Sequence, residues 1–572
     1  MPEDQPAQSV RRERRKRRGK KGAAVMRAVP ATALPRASDS KRPARLRRGS
    51  LRAGMAVAGG RAAGALSRRL RLGGGTGIAG VVAQRLYPDI VHHLSTQLAG
   101  GSILVTGTNG KTTTSGFIAA ILSDAGLRVW RNREGSNLMR GIAGALVIRA
   151  RLSGNLRRGG QATSIFEVDE AVVPQIMRDV PLRIAVFNNL FRDQLDRYGE
   201  VDSVLTRWQQ AITTLPHQTA LALNADDPAV AELGAAYAGQ VVYYGIDDTT
   251  FDLGWRGTIS ERHQTVDTRI CPRCGSDLEY TARFFSHLGH YNCSNCGNRR
   301  PAPQVRATNI SMNAFDQLRM NVLTPTHEGE IVIPLPGFYN VYNALAAIAT
   351  AQALQIDWAA VVSGIQQFKP AFGRGERVQV AGRTLRILLA KNPTGFNEVL
   401  RTLFSDDEPR HLLLMLNDNI ADGRDVSWIW DVDFERITNH TPTLTVTGTR
   451  ALELALRLKY AGVAPETIDI IPVIPLRVSQ LKNNGSIRTA GTPVRANGEL
   501  TAMREAQTQA DKAWHARGHR VTGLARALDT AIESTPPGET LFVVPTYTGL
   551  LDIHRELERR GLTPHYWEEK GP

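Results

Sequence analysis

The chain has 572 residues, 42% of them hydrophobic, and a formal net charge of +17. Its length exceeds one ordinary domain and supports at least two hydrophobic cores. Between Met1 and Arg71 stand 21 Lys and Arg against 4 Asp and Glu, so the whole excess lies there, and the balanced remainder gives no charge-based reason to read the body as a nucleic-acid binder.

Residues 1–72 read as a basic, disordered tail. Arg11-Arg12-Glu13-Arg14-Arg15-Lys16-Arg17-Arg18 is followed by Ala, Gly, Pro and Ser without a usable apolar period. Such a tail suits adhesion to an anionic surface, either phospholipid or nucleic acid, or serves only as a solvated extension. The Ala/Gly-rich stretch from Ala53 to Leu66 is broken by Arg61 and does not form a secretory signal. No run of about twenty apolar residues predicts a membrane span. The expected location is cytoplasmic, with a peripheral place at the inner face of the plasma membrane as the alternative.

From residue 73 to 375 a β-α alternation predicts a parallel sheet covered on both faces, with ligands at the carboxyl ends of its strands. Helical spacing over Thr76–Ala99 precedes strands at Ser102–Thr106, Ser164–Val168, Arg183–Asn188, Thr219–Leu223 and Gln240–Tyr244. Directly after the first strand comes Thr106-Gly107-Thr108-Asn109-Gly110-Lys111-Thr112-Thr113-Thr114, opening a helical pattern. Glycines there let backbone N–H groups approach polyphosphate oxygens, Lys111 adds a cation, and the Thr112 hydroxyl is placed to ligate Mg²⁺. The loop predicts ATP as a ligand. Glu167, at the end of a strand expected beside this loop, is a second Mg²⁺ ligand candidate. The only cysteines, Cys271, Cys274, Cys293 and Cys296, form two C-x2-C knuckles eighteen residues apart within an insertion at about 247–303. Four thiolates so spaced predict a structural Zn²⁺ ribbon, and His287 and His290 are not needed as ligands.

A boundary falls at Pro370 and Gly373-Arg374-Gly375. Residues 376–572 form a second α/β region, with strands near Arg386–Leu389, His411–Leu416, Thr443–Thr447, Ile468–Ile474 and Thr540–Val544, and a loop-rich insertion at about 482–520. After the second of these strands comes the acidic loop Asn417-Asp418-Asn419-Ile420-Ala421-Asp422-Gly423-Arg424-Asp425, followed by Trp428 and Trp430. It suits a partner surface or a site, or alternatively a capped turn.

Taken together these motifs resemble the Mur ligase superfamily, the ATP-dependent carboxylate–amine ligases. The nucleotide loop, Asn188-Asn189-Leu190-Phe191-Arg192-Asp193-Gln194-Leu195-Asp196, Gly337-Phe338-Tyr339-Asn340-Val341-Tyr342-Asn343 and Phe372-Gly373-Arg374-Gly375-Glu376 occur in the family's order. The resemblance implies nucleotide contacts from Thr108, Asn109, Gly110, Lys111, Thr112, Thr113, Asn343 and Arg374, and Mg²⁺ on Thr112 and Glu167. Gln194 stands where the family has a metal-binding His, Tyr339 replaces another His, and Leu388-Leu389-Ala390-Lys391-Asn392-Pro393 departs from D-Y-A-H-N-P. The inserted ribbon and the Asp425 loop are similar to the branch that amidates the α-carboxyl of D-glutamate in lipid II during peptidoglycan synthesis. That resemblance implies a heterodimer with a GatD-type glutaminase, whose Cys and His are completed by Asp425, with Asp418 and Asp422 as nearby alternatives. Folylpolyglutamate- or cyanophycin-type ligases and a nucleic-acid-binding P-loop ATPase are the competing readings.

Overall fold

The structure is a computed structural model that describes residues 46–70, 76–132, 137–157, 162–192, 201–252, 270–313, 317–369, 374–406, 408–438, 440–473 and 523–563. These all belong to one compact unit, Arg45–Pro572.

Its larger sheet has nine strands: β1 Ser102–Thr106, β2 Arg128–Arg131, β3 Ala162–Glu167, β4 Leu182–Phe187, β5 Ala220–Asn224, β6 Val241–Ile246, β9 Val305–Asn313, β10 Gln317–Leu323 and β11 Glu328–Ile333. The order is β11-β10-β9-β6-β5-β4-β1-β3-β2, parallel from β2 to β9 and antiparallel across β9, β10 and β11. β1 and β5 are buried at every residue and β4 from Ile184 to Phe187, with mostly apolar side chains on both faces, as a covered parallel strand requires. The antiparallel extension was not expected from the sequence. Alternation such as Leu318-Arg319-Met320-Asn321-Val322, buried at every second residue, is its physical basis. Between β6 and β9 lies the hairpin β7 Glu279–Phe285 and β8 Leu288–Asn292, which carries the cysteines.

The smaller sheet joins β12 Arg374–Val380, β13 Arg383–Leu388, β14 His411–Met415, β15 Leu444–Gly448, β16 Ile468–Pro472 and β17 Thr540–Pro545 in the order β12-β13-β17-β14-β15-β16. All its pairings are parallel except β12 with β13. The expected loop-rich insertion at 482–520 lies outside the described residues.

Within residues 1–72, read as a disordered tail, the stretch Leu46–Arg69 is instead helix α1, whose Ala53, Ala56 and Val57 are fully buried, while residues 1–45 lie outside the described residues. It packs on α2, Thr76–Leu86, and on the helix Met139–Arg149, here α4; α3 is Lys111–Asp124. The contact surface consists of small residues, which give no apolar period. A Cβ on Gly60 would lie 2.6 Å from Ala79 O, and one on Gly144 would lie 2.0 Å from Thr76 O. Backbones this close gain dispersion contacts only while the glycines remain. Gly80→Ala would place a methyl 1.9 Å from Arg140 O and 2.8 Å from Gly144 N. It is expected to lower stability by about 1–3 kcal/mol, read as a lower denaturation midpoint at unchanged slope. An unchanged midpoint would contradict this packing.

Candidate active site

The carboxyl ends of β1, β3 and β4 meet where the chain reverses its order of addition to the sheet, the place at which open α/β sheets bind ligands. The loop between β1 and α3 lies there, with Gly107 at φ 131° and Gly110 at φ 84°. Only glycine adopts such angles without strain. Gly110 is also constrained from above, because a Cβ would fall 2.0 Å from Asn343 Oδ1.

Register does the rest. Val105 pairs with Glu167, so the end of β3 stands beside the start of α3. The Thr112 hydroxyl donates to Glu167 Oε1 at 2.9 Å, bringing together the two side chains expected to ligate Mg²⁺. Glu167 is fixed through its backbone, its N–H donating to Asn132 Oδ1 and its carbonyl accepting from Asn132 Nδ2, both at 2.9 Å. Lys111 is buried, donating to the carbonyls of Gly107 and Thr108 and to Glu170 Oε1 at 2.8 Å. Glu170 did not stand out in the sequence, since nothing there shows which acid of Glu167-Val168-Asp169-Glu170 faces the lysine.

The other expected residues divide. Thr108 braces the loop, donating to Phe191 O and accepting from Phe191 N, and Thr113 is buried. Asn109 and Asn343 line a cleft with Gly110, Tyr339, Leu388 and Glu398. Asn343 Nδ2 donates to Asn340 Oδ1 at 2.9 Å, and its Oδ1 accepts from Thr114 at 3.3 Å. Asn188 donates to Thr114 at 3.0 Å while its own Oδ1, buried, has no partner among the described residues. Arg374 opens β12, opposite Leu388, but its side chain and Gln194 lie outside the described residues. Asn392, quoted only within a motif, joins the two sheets: its Nδ2 donates to Asn109 Oδ1 at 3.1 Å, and its Oδ1 caps the helix Pro393–Leu403 at Gly395 N.

The three aspartates of the loop after β14 differ sharply. Asp418 is held by Arg450 at 2.8 Å and Thr449 at 2.7 Å, which pull its carboxyl down against the upward push of burial. Asp422 is buried and pushed up by burial, accepting from the N–H and hydroxyl of Thr548. Asp425 is exposed and, among the described residues, accepts from Ser427, whose N–H at 2.8 Å lowers its pKa. It therefore presents a carboxylate outward at neutral pH. Asp431, farther along, pairs with Arg192 at 2.9 Å and ties this loop to the one after β4.

The four cysteine sulfurs lie within 4.8 Å of one another, with Cys271–Cys296 at 3.6 Å and Cys274–Cys293 at 3.5 Å. A tetrahedron of thiolates on Zn²⁺ has edges of about 3.8 Å, so the set fits such an ion without rearrangement. The knuckles match each other: Gly275 N donates to Cys271 O and Gly297 N to Cys293 O, each at 2.9 Å. The Ser276 N–H draws the Cys274 thiol down to about 6, favouring the ligating thiolate. His290 is bound to Ile246 O at 2.7 Å and His287 is buried 3.3 Å from Asp227, so neither joins the set. Arg300, just past the last cysteine, anchors the ribbon on the buried Asp226.

Comparison with known proteins decides the family. Residues 389–490 match the model of the MurT ligase C-terminal region and residues 105–297 that of the Mur ligase middle domain. The chain is 33% identical to the protein named lipid II isoglutaminyl synthase (glutamine-hydrolyzing) subunit MurT of Staphylococcus aureus (strain COL), over 68% of this chain and 84% of that protein. It is likewise 33% identical to its namesake in Streptococcus pneumoniae, over 70% and 85%. The chain belongs to the MurT family. Solved structures with the same fold include a pseudomurein peptide ligase type C from Methanothermus fervidus, at TM-score 0.54, 22% identity, and 81% and 79% coverage. Another is MurF from Acinetobacter baumannii, at TM-score 0.54, 16% identity, and 85% and 80% coverage. The chain is a ligase, and it is built on two α/β sheets.

For the ribbon, elemental analysis is expected to find one equivalent of zinc per chain, lost in Cys274→Ser/Cys296→Ser. Native protein that holds no zinc as purified, with all four thiols reacting freely with a thiol reagent, would contradict it.

Proposed function

We propose that this chain catalyses ATP-dependent amidation of the α-carboxyl of D-glutamate in the lipid II stem peptide, with ammonia delivered by a GatD-type glutaminase partner. The observation that carries the ligase half is the pairing of Thr112 with Glu167 and of Lys111 with Glu170 at the end of β3. A carboxylate is a poor electrophile, so the γ-phosphoryl group is transferred to it first; ammonia then attacks the acyl phosphate and phosphate leaves. Lys111 exchanges Glu170 for the polyphosphate and offsets charge on the phosphoryl group in flight. Mg²⁺, held by Thr112 and Glu167, supplies Lewis-acid polarisation of the phosphoryl oxygens when bound. Backbone N–H groups from Gly110 to Thr112 lie at the N-terminus of α3, where a helix favours anions, and Asn189 Oδ1 accepts from the N–H of Asn109 at 2.8 Å. Asn343 and Arg374 are assigned to the nucleotide, and Zn²⁺ on the four cysteines is structural.

Support for the partner comes from the loop of Asp425. Among its three aspartates only Asp425 is exposed and without an ion pair among the described residues. The same loop and the helix beside it expose apolar side chains: Ile420 is 71% exposed, Trp430 49% and Tyr460 71%, with Trp430 and Tyr460 in ring contact at 5.6 Å. Exposed aromatic and aliphatic side chains beside a carboxylate suit an interface. Asp425 orients the partner's histidine and stabilises its imidazolium.

The test separates the two halves. Asp425→Asn is expected to reduce glutamine-driven amidation by about 10²-fold or more while ammonium-driven amidation persists. Lys111→Ala is expected to abolish both. Equal loss of both activities in Asp425→Asn, or loss of neither, would overturn the assignment.

A further inference from the structure

Fourteen large hydrophobic side chains are exposed among the described residues, and nine of them lie on α1, α2 and α4, at Leu70 directly after α1, and in the turn that follows α4. They include Leu51 at 75%, Met55 at 62%, Leu66 at 58%, Leu86 at 53% and Leu152 at 65%. These elements adjoin one another. A Cβ on Gly54 of α1 would meet Leu152 O at 2.5 Å, one on Gly59 would meet Leu86 Cδ1 at 2.7 Å, and one on Gly60 would meet Val147 at 3.2 Å. Thus α1 runs against α4 in the opposite direction. Beyond the N-terminal end of α4, Asn137 O accepts from Asp169 N, two residues from Glu167.

The charged side chains carried by α1, α2, α4 and the turn after α4 have one sign, the nearest acid in sequence being Asp89 past the end of α2. No Asp or Glu occurs between Arg45 and Pro88 or between Gly135 and Phe166, whereas Arg52, Arg68, Arg69, Arg85, Arg140 and Arg151 are exposed. Exposed aliphatic side chains among arginines, without acids, describe a surface that inserts apolar groups between lipid headgroups while its cations meet phosphate. No helix of the described residues is long and apolar enough to cross a membrane, so the contact is peripheral.

We propose that the α1–α2–α4 face docks on an anionic phospholipid bilayer. Other occupants fit less well. A second copy or the Arg-rich residues 11–18 would set cation against cation. Single-stranded nucleic acid is gripped by exposed aromatic rings, and the large apolar residues exposed here are all aliphatic. The proposal rests on and deepens the reading of a lipid-carried substrate, since the segment that leads into α4 is bonded to the backbone two residues from Glu167. Vesicle binding is read without ATP, glutamine or turnover, so its failure is distinguishable from failure of the ligase assignment.

The test uses the full chain with vesicles of phosphatidylcholine alone or with phosphatidylglycerol, and with a single-stranded oligonucleotide. The chain is expected to sediment with the anionic vesicles and not with the neutral ones. Leu51→Gln/Met55→Gln/Leu66→Gln, all at exposed positions, is expected to lower vesicle affinity about tenfold or more with an unchanged thermal midpoint. Replacing Arg11, Arg12, Arg14 and Arg15 by Ala is expected to leave that aliphatic-dependent component in place. Wild-type vesicle affinity in the triple variant overturns the proposal, as does vesicle binding abolished by the Arg11–Arg15 replacements alone. Oligonucleotide binding that the triple variant loses overturns it too.

Discussion

The parallel register of β1 on β3 is the constraint on which the site depends. Because Val105 stands opposite Glu167, the strand that launches the phosphate loop ends level with the strand that delivers two acids to it. One acid meets the hydroxyl of Thr112 and the other the ammonium of Lys111. A slip of one residue would turn Glu167 to the opposite face and take Glu170 from the buried Lys111, leaving that cation without its carboxylate, a costly state for a charge. The site is thus set by sheet pairing before any ligand arrives.

The second sheet is held to this center by a few polar contacts between side chains far apart in sequence. Asn109 and Asn392 exchange amide hydrogen bonds, Arg192 pairs with Asp431, and Arg401 donates to Phe284 O while lying over Phe338. The last of these involves the cysteine hairpin, so the ribbon supports the position of the helix that lines the cleft. Polar links of this kind can be broken and remade more readily than a hydrophobic core. That suits a ligase that must admit nucleotide and acceptor between its sheets.

Much of this was legible in the sequence because the signals were local. The strand–loop–helix around Gly110, the cysteine spacing and the ten strands expected for the two sheets depend on contiguous residues and appear close to where the pattern places them, whereas β2, β9 to β11 and β12 carried no signal that was read. Helix α1 was missed because it packs through glycine and alanine, which carry no apolar period, and its arginines resemble those of a solvated tail. Glu170 and Asn392 were missed as site residues because their roles arise from pairing across strands or between sheets. Asp425 could be separated from Asp418 and Asp422 only when Arg450 and Thr548 were seen to occupy the other two.

Exposed apolar surface completes the picture. Most of it lies in two places: the acid-free face of α1, α2 and α4, and the rim around Asp425, on different sheets of the protein. A ligase that takes one substrate from a membrane and the other from a protein partner needs two such surfaces. The central claim, however, is chemical: the paired acids and the phosphate loop activate a carboxylate by phosphoryl transfer. It is tested most directly by incubating the chain with lipid II bearing ¹⁸O in the D-glutamate α-carboxyl, Mg-ATP and ammonium, then measuring the isotope in released phosphate. The account predicts one ¹⁸O transferred to phosphate per amide formed. Amide formation with unlabelled phosphate would contradict it.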